Sequence, residues 1–192
     1  TELLNAIQYI TNIQRSNAII STAVNKAAKT VFALKTYAHT DSTGRETKVN
    51  LIENMETVLV LYHNQIKQNI ELICDYDEDV PLLMCHPDEL NQVWTNLIHN
   101  ALQAMDYKGK LAISIKVVDK DIVVAVKDTG CGIPEDIMER IFEPFFTTKS
   151  AGEGSGLGLD IVRGIIEKHG GRIEIYTKVG KGTTFTVYLP LE

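Results

Sequence analysis

Three short sequence blocks between residues 96 and 159 constrain the fold of this chain. They read N-L-I-H-N-A from Asn96 to Ala101, D-T-G-C-G-I-P from Asp128 to Pro134, and G-S-G-L-G-L from Gly154 to Leu159. Eleven of the thirteen glycines follow residue 129, so they lie in or beyond the second block. Because glycine adopts backbone conformations that other residues avoid, the fold must place tight turns and close backbone approaches there.

The composition is that of a soluble globular protein. Hydrophobic residues make up 44% of the 192 residues, and no apolar run approaches the roughly 18 residues that span a bilayer. The formal net charge of -6 disfavours a nucleic-acid partner, which requires a basic face. Cys74, Cys85 and Cys131 form no C-x-x-C pair and favour reduced thiols. We expect a cytoplasmic fragment of a longer protein, and that expectation is compatible with a membrane-anchored parent.

The first 40 residues are predicted to form a helical dimerisation segment. From Leu3 to Ala38, eleven positions are spaced alternately by three and four residues, and ten of them are apolar. This is the seam of a coiled coil or helical bundle, and its length requires a partner helix. The exception, Asn17, lies in a polar patch where Ser16 is a candidate N-cap, so one continuous helix and a hairpin both fit. Residues 41–48 are predicted to be a linker.

Residues 49–192 are predicted to fold as an α+β domain, a two-layer α/β sandwich in which helices cover one face of a mixed sheet. Apolar residues recur with the helical period in some segments and alternate, as in strands, in others. Gly170-Gly171 is predicted to end the last helix. The predicted helices cover residues 51–68, 87–105 and 157–169, and the predicted strands cover residues 70–76, 111–118, 122–127, 172–178 and 183–189.

The first block places two asparagines on one helix face. Asn96 and Asn100 are four residues apart, hence one turn apart. Helix interiors disfavour Asn, because its side chain competes for backbone hydrogen bonds. Two of them inside an apolar run therefore indicate amides that share a target.

The third block resembles a phosphate-binding turn in its chemistry. Gly154, Gly156 and Gly158 lead into a predicted helix, whose N-terminus offers free N–H donors and a positive dipole end. Residues 147–153 are polar and contain glycine, so we predict a mobile lid over the ligand. In the second block, Asp128 ends a predicted strand, and Gly130 and Gly132 permit close approach to its backbone.

In this order, the blocks resemble the ATP-binding domain of sensor histidine kinases, within the wider family shared with gyrase, Hsp90 and MutL. The resemblance covers about Val49 to Leu191. It implies a Bergerat-type ATP-binding fold and the cofactors ATP and Mg²⁺. It assigns Asp128 to the exocyclic amine of adenine, Asn100 to a Mg²⁺ that bridges the phosphates, and Asn96 to the phosphate side.

The resemblance also extends to a fourth block, I-F-E-P-F-F-T-T-K, from Ile141 to Lys149. Its phenylalanines would anchor the lid and face the helical domain that carries the substrate histidine. The residues assigned to catalysis are Asn96, Asn100 and Lys149. Those assigned to the nucleotide are Asn96, Asn100, Asp128, Gly130, Gly132, Ile133, Phe146, Thr147, Thr148, Lys149, Gly154, Ser155, Gly156, Leu157, Gly158, Leu159 and, in G-T-T-F beside Thr183, Thr184.

Asn96 separates two reaction classes within this family. Relatives that hydrolyse ATP, such as gyrase and Hsp90, are expected to carry Glu there as the general base. An amide cannot accept a proton at neutral pH. The resemblance therefore implies transfer of the γ-phosphate to a protein histidine rather than attack by activated water.

The substrate histidine itself is missing from its usual setting. Family phosphoacceptors have an acid directly after the histidine and a proline five residues after it, and none of the five histidines here fits. We therefore expect the donor part of a two-component kinase, unable to autophosphorylate alone. Its expected partners are ATP or ADP, a phosphoacceptor helix, a response-regulator receiver domain and a second copy through residues 1–40. The alternatives are a non-catalytic ATP-binding and dimerisation module, or a serine kinase of the anti-sigma type.

Overall fold

The computed structural model describes residues 46–149 and 154–191, together with Ser16. The chain forms two compact units, of which the larger comprises Gly44–Phe146 and Gly156–Glu192. The predicted dimerisation segment and the choice between one helix and a hairpin lie outside the described residues, apart from the helical Ser16.

The larger unit is a two-layer sandwich of helices on a mixed five-stranded sheet. The strands are β1 (Thr47–Val49), β2 (Ile70–Tyr76), β3 (Leu83–Cys85), β4 (Gly109–Val118), β5 (Asp121–Asp128), β6 (Arg172–Lys178) and β7 (Gly182–Pro190). The helices are α1 (Leu51–Asn69), α2 (Pro87–Ala104), a short 3₁₀ helix (Glu135–Ile137) and α3 (Gly158–Lys168). The sheet order is β2-β4-β5-β7-β6; β2 runs parallel to β4, and the other neighbours are antiparallel. A separate two-stranded sheet pairs β1 with β3.

The sheet and helices form as their patterns predict. In β5 and β7, buried residues alternate with half-exposed ones, so one face of each strand packs into the core. The side chain of Asn50 caps α1 and accepts hydrogen bonds from the N–H groups of Ile52 at 2.9 Å and Glu53 at 3.3 Å. The predicted fold class and the helical cover on one sheet face are confirmed.

The centre of the helical layer is Trp94 of α2, which is fully buried. Its indole N–H donates a 2.7 Å hydrogen bond to Oδ1 of Asn54 in α1. The Asn54 amide in turn donates to the carbonyl of Pro87, at the start of α2. These two hydrogen bonds join α1 to α2, the helix that carries Asn96 and Asn100.

The last helix ends as Gly170-Gly171 predicts. Gly170 has a φ of +67°, and the N–H groups of Gly170 and Gly171 donate to the carbonyls of Glu167 and Ile166. His169 lies at this end; its Nε2 accepts from the His86 backbone N–H at 3.2 Å, and its Nδ1 lies 2.8 Å from the Ile165 carbonyl. In the tautomer with the proton on Nδ1, the ring donates to the Ile165 carbonyl and accepts from the His86 N–H.

The end of the predicted linker forms a strand. Thr47 and Lys48, whose polar character predicts a linker, belong to β1 and pair with Cys85 and Met84 of β3. Neither three-residue strand was predicted, because strands this short carry little alternation and their pairing is long-range. Among the described residues, no helix has the length and hydropathy needed to cross a bilayer.

Candidate nucleotide-binding site

The two asparagines of α2 face the start of α3. A Cβ atom added to Gly158, the first residue of α3, would lie 3.2 Å from Asn96 Oδ1 and 4.0 Å from Asn100 Nδ2. The first and third sequence blocks therefore meet here, and the glycine provides the space that the amides occupy. As predicted, Asn96 and Asn100 point toward a common region.

The side-chain amide of Asn96 is incompletely paired. Its Nδ2 is buried and has no hydrogen-bond partner among the described residues. Buried donors in folded proteins are nearly always satisfied, and an exception requires an explanation. A ligand with oxygen acceptors, such as a phosphate, would supply the missing partner.

Asp128 ends β5 as a buried carboxylate. Only 3% of the residue is exposed, and Oδ1 accepts hydrogen bonds from the N–H groups of Gly130 at 2.7 Å and Thr183 at 3.2 Å. Burial raises the pKa of the Asp128 carboxyl above its ordinary value, and the two N–H donors oppose that rise. Oδ2 accepts no hydrogen bond from the described residues, so this oxygen is available to a ligand donor.

The second block packs against the end of α2. A Cβ atom on Gly130 would lie 2.5 Å from the carbonyl oxygen of Ala104, the last residue of α2. The same carbonyl accepts a 3.0 Å hydrogen bond from the Cys131 N–H. The C-terminal end of α2 therefore contacts the second block, and the asparagines of α2 lie beside Gly158 of the third block.

The other side of the second block docks on the β6–β7 hairpin. Gly132 has a φ of +73°, and a Cβ atom there would lie 2.4 Å from the Lys178 carbonyl oxygen. The Gly180 N–H donates to the Cys131 carbonyl at 2.8 Å. The predicted need for glycine at positions 130 and 132 thus has a steric basis on both sides of the loop.

The third block contacts the fourth block, which contains the phenylalanines, at Phe145. Gly156 has a φ of +67°, and a Cβ atom there would lie 2.3 Å from the carbonyl carbon of Phe145. Phe145 also has a φ of +67° and is 74% exposed. The neighbouring ring of Phe146 is covered by the guanidinium of Arg140, 4.4 Å from the ring centre.

α3 begins with backbone N–H groups that lack a conventional side-chain cap. Its N-cap residue is Leu157, and no side-chain hydrogen bond caps the helix. The first N–H groups of a helix have no partner within the helix. Leu159, also predicted to contact the nucleotide, is partly buried and packs against the hydrophobic core, as does Ile133.

The remaining predicted residues belong to the smaller unit. There the Lys149 N–H donates to Oγ1 of Thr147 at 3.2 Å, and a Cβ atom on Gly154 would lie 2.6 Å from the same oxygen. Residues 150–153 of the predicted lid lie outside the described residues. The roles of Thr147, Thr148, Lys149, Gly154 and Ser155 remain predictions.

The two threonines of G-T-T-F lie on opposite faces of β7, and the nucleotide contact assigned to Thr184 stays a prediction. Thr183 is 4% exposed on the core side of β7, and its N–H donates to Asp128. Thr184 follows it on the strand, so its side chain points to the opposite face of the sheet. Two consecutive threonines look alike in the sequence, and only the register of β7 against β5 separates them.

In the described ranges, no three His, Cys, Asp or Glu side chains are grouped to hold a metal ion. The amide oxygen of Asn100, which the resemblance assigns to Mg²⁺, is a ligand type that suits this cation.

Comparison with known proteins agrees with this geometry. Residues 85–192 match the family described as "Histidine kinase-, DNA gyrase B-, and HSP90-like ATPase". This match covers more than half of the chain, which therefore belongs to that family. An ATPase domain of this family implies ATP binding.

Two relatives of this chain are a sporulation kinase and a sensor kinase. Sporulation kinase E of Bacillus subtilis is 37% identical over 137 residues, which are 71% of this chain and 18% of that protein. Sensor kinase CckA of Brucella abortus is 36% identical over 181 residues, which are 86% of this chain and 19% of that protein. The chain thus spans about a fifth of the length of these curated relatives.

Solved structures identify the type of domain. The catalytic domain of histidine kinase ThkA superposes with a TM-score of 0.69 at 36% identity, over 76% of this chain and 95% of that domain. Histidine kinase ThkA in complex with response regulator protein TrrA superposes with a TM-score of 0.72 at 30% identity, over 88% of this chain and 49% of that chain. The larger unit is accordingly a histidine kinase catalytic domain.

Proposed function

We propose that this chain is the ATP-binding catalytic part of a two-component sensor histidine kinase. It would hold Mg-ATP and donate the γ-phosphate to a histidine on a dimerisation helix outside these 192 residues. A response-regulator aspartate would then receive the phosphoryl group. The observation that carries the proposal is the convergence on α2: Asn96 and Asn100 lie beside Gly158, and Ala104 lies against Gly130.

The adenine end of the nucleotide is proposed to bind at Asp128. Its Oδ1 is occupied by two backbone N–H groups, which leaves Oδ2 to accept from the exocyclic amine. Guanine has a carbonyl at the corresponding position and would place an acceptor against the carboxylate. The site would therefore select adenine.

The phosphate end is proposed to lie between α2 and the start of α3. The buried Asn96 Nδ2 would donate to a phosphate oxygen, and the N–H groups at the start of α3 would donate to others. The family resemblance assigns the amide oxygen of Asn100 to Mg²⁺, which when bound neutralises phosphate charge. The resemblance also assigns Lys149 to the phosphates.

The asparagine at position 96 favours phosphoryl transfer over hydrolysis. An amide cannot remove a proton from water, so Asn96 positions the γ-phosphate without activating a nucleophile. Transfer of this kind depends chiefly on alignment and on charge neutralisation. The nucleophile would be the imidazole of the incoming helix.

The proposed partners and location follow from the same assignment. The complex of ThkA with a response regulator concerns a relative that shares this domain, and it supports a receiver domain as the second partner. The seam in residues 1–40 supports a homodimer. Free Cys74, Cys85 and Cys131 are compatible with a reducing, cytoplasmic setting.

A transfer experiment with a separate acceptor tests the proposal. The chain is incubated with γ-labelled ATP and Mg²⁺, with and without a helical fragment that carries a histidine, a following acid and a proline five residues later. We expect acid-labile, base-stable label on the fragment and none on the chain alone. The Asn100→Ala and Asp128→Ala variants should lose ATP binding and therefore transfer.

The other outcomes identify the alternatives. ATP binding without transfer would indicate a non-catalytic signalling module. Acid-stable label on a partner would indicate a serine kinase. If Asn100→Ala and Asp128→Ala bind ATP as the unmodified chain does, the site assignment itself is wrong.

A further inference from the structure

We propose that Thr177 of β6 is a positioning residue for adenine recognition, because its hydroxyl ties the Asp128–Ile133 loop to the β6–β7 hairpin. The inference rests on the proposed role of Asp128 and extends it. Thr177 belongs to none of the sequence blocks, and it would act through Asp128 and Thr183 without touching the nucleotide.

The hydroxyl of Thr177 makes three hydrogen bonds. It accepts from the Ile133 N–H at 2.9 Å, donates to the Gly182 carbonyl at 3.2 Å and lies 3.0 Å from the hydroxyl of Thr183. A threonine hydroxyl has one proton and two lone pairs. When its proton is directed at Gly182, the hydroxyl of Thr183 is the donor in the third bond.

These bonds reach both ends of the second block. Ile133 closes the loop that Asp128 opens, and Thr183 is the residue whose backbone N–H holds Asp128 Oδ1. Thr177 and Thr183 are also partners in the β6–β7 register, so the contact lies within a regular ladder. The Thr177 hydroxyl thereby holds the Ile133 end of the loop and contacts the Thr183 hydroxyl. Thr183 in turn lies on the strand whose backbone N–H holds the Asp128 carboxylate.

Removal of this hydroxyl should misplace the adenine end alone. Thr177→Val keeps the branched shape that suits a strand, but leaves the Ile133 N–H and the Thr183 hydroxyl without their partner. The loop end would loosen against the hairpin, and Asp128 would meet the exocyclic amine less well. The phosphate end, formed by α2 and α3, has no contact with this hydroxyl among the described residues.

The test compares nucleotides with and without the exocyclic amine. Calorimetric affinities of the 192-residue chain are measured for ATP, ADP and purine riboside triphosphate, which lacks the amine. Thr177→Val should bind ATP and ADP roughly five- to tenfold more weakly, the loss of about one hydrogen bond. Its affinity for purine riboside triphosphate should equal that of the unmodified chain.

Two further comparisons isolate the hydroxyl. Thr177→Ser should stay within roughly twofold of the unmodified chain, whereas Thr177→Ala, which differs from Thr177→Ser only in the hydroxyl, should show the loss of affinity. This pair also serves if the valine variant fails to fold. Thr186→Val, a matched change on the opposite face of β7, should bind ATP normally.

Contrary outcomes are distinct. Unchanged ATP affinity in both Thr177→Val and Thr177→Ala would overturn the inference, as would an equal loss for ATP and purine riboside triphosphate. If the unmodified chain binds no ATP, the proposed function fails and this inference falls with it. If it binds ATP and Asp128→Asn weakens binding, only the role of Thr177 is in question.

Discussion

The two ends of the candidate site differ in how completely their polar groups are paired. At the adenine end, Asp128 Oδ1 already accepts two backbone hydrogen bonds, and the Ile133 N–H is held by Thr177. At the phosphate end, Asn96 Nδ2 is buried without a partner in the described residues, and α3 begins without a side-chain cap. On the proposed assignment, the adenine end is built in advance, and a bound phosphate would complete the other end.

This difference suggests a division of work along the nucleotide. A preorganised acceptor gives selectivity, because the wrong base meets polar groups that cannot adjust. At the proposed phosphate end, the Asn96 Nδ2 group would gain its hydrogen bond when a phosphate binds, so the ligand would contribute to the order of that end. Substitutions at the two ends should therefore affect different parts of the nucleotide, and stability and affinity need not change together.

The largest effect is expected for Asp128→Asn. Asparagine retains Oδ1 for the N–H groups of Gly130 and Thr183, but presents an amide donor to the exocyclic amine of adenine. We expect ATP, ADP and adenosine all to bind roughly 10- to 100-fold more weakly. The unfolding midpoint at pH 7 should be unchanged or higher, because the variant no longer buries a charge. Calorimetry and thermal unfolding measure the two quantities.

The pH dependence of unfolding provides a separate check on Asp128. Burial raises the pKa of this carboxyl above the ordinary value of 3.8, so the folded state binds its proton more tightly than the unfolded state. The unfolding free energy should then fall as the pH rises from about 3.8 through the folded-state pKa. Asp128→Asn should lack this contribution. The unfolding free energy of Asp128→Asn, relative to that of the unmodified chain, should therefore rise with pH through this window. A fall in this relative value would contradict the assignment.

A smaller effect, confined to the phosphate end, is expected for Gly158→Ala. The added methyl would lie 3.2 Å from Asn96 Oδ1, so the amide must shift by a few tenths of an ångström. ATP and ADP should bind roughly tenfold more weakly, by analogy with the loss of one or two hydrogen bonds, whereas adenosine should be unaffected. Isothermal titration with the three ligands separates these outcomes.

Gly164→Ala is the matched control for that change. Gly164 also lies in α3, and a Cβ atom there would meet no heavy atom within 4 Å. Both substitutions replace a helical glycine and should stabilise the helix or leave it unchanged. Equal losses of ATP affinity in the two variants, or a loss of adenosine affinity in Gly158→Ala, would remove the distinction between the two ends.

The sequence predicted the elements of this domain well, because their signals are local. Hydrophobic periodicity, together with the glycine and proline residues at element ends, places α1, α2, α3 and the five strands of the main sheet within about two residues of their observed bounds. What sequence could not supply is pairing over distance. The β1–β3 sheet joins residues 38 positions apart, Thr47 and Cys85, and neither strand is long enough to show alternation.

The sequence alone leads to a candidate site where a block has distinctive chemistry, as at Asn96, Asn100 and Asp128, and their contacts with a nucleotide stay predictions. The site was not predictable where a common residue acquires importance from its register. Thr183, rather than Thr184, contacts Asp128 because β7 presents alternate side chains to the core. Thr177 belongs to no block at all, and only the folded hairpin brings it to Ile133.

The smallest effect on nucleotide affinity is expected at Asn54 of α1, which forms hydrogen bonds with Trp94 and Pro87 of α2. Asn54→Ala leaves the buried indole N–H of Trp94 without an acceptor and should cost about 1–3 kcal/mol of unfolding free energy. ATP affinity should change by less than roughly threefold, since the loss of a buried hydrogen bond affects the whole fold more than either end of the site. Urea unfolding and calorimetry measure both.

A double substitution shows whether the Asn54–Trp94 bond alone accounts for that cost. Asn54→Leu with Trp94→Phe removes both polar partners, and the pair should lose less stability than the sum of the single changes. An additive result would mean that the two side chains act independently. A large loss of ATP affinity in Asn54→Ala at temperatures where it is fully folded would instead show that this bond sets the angle of Asn96 and Asn100, and the phosphate end would then be as preorganised as the adenine end.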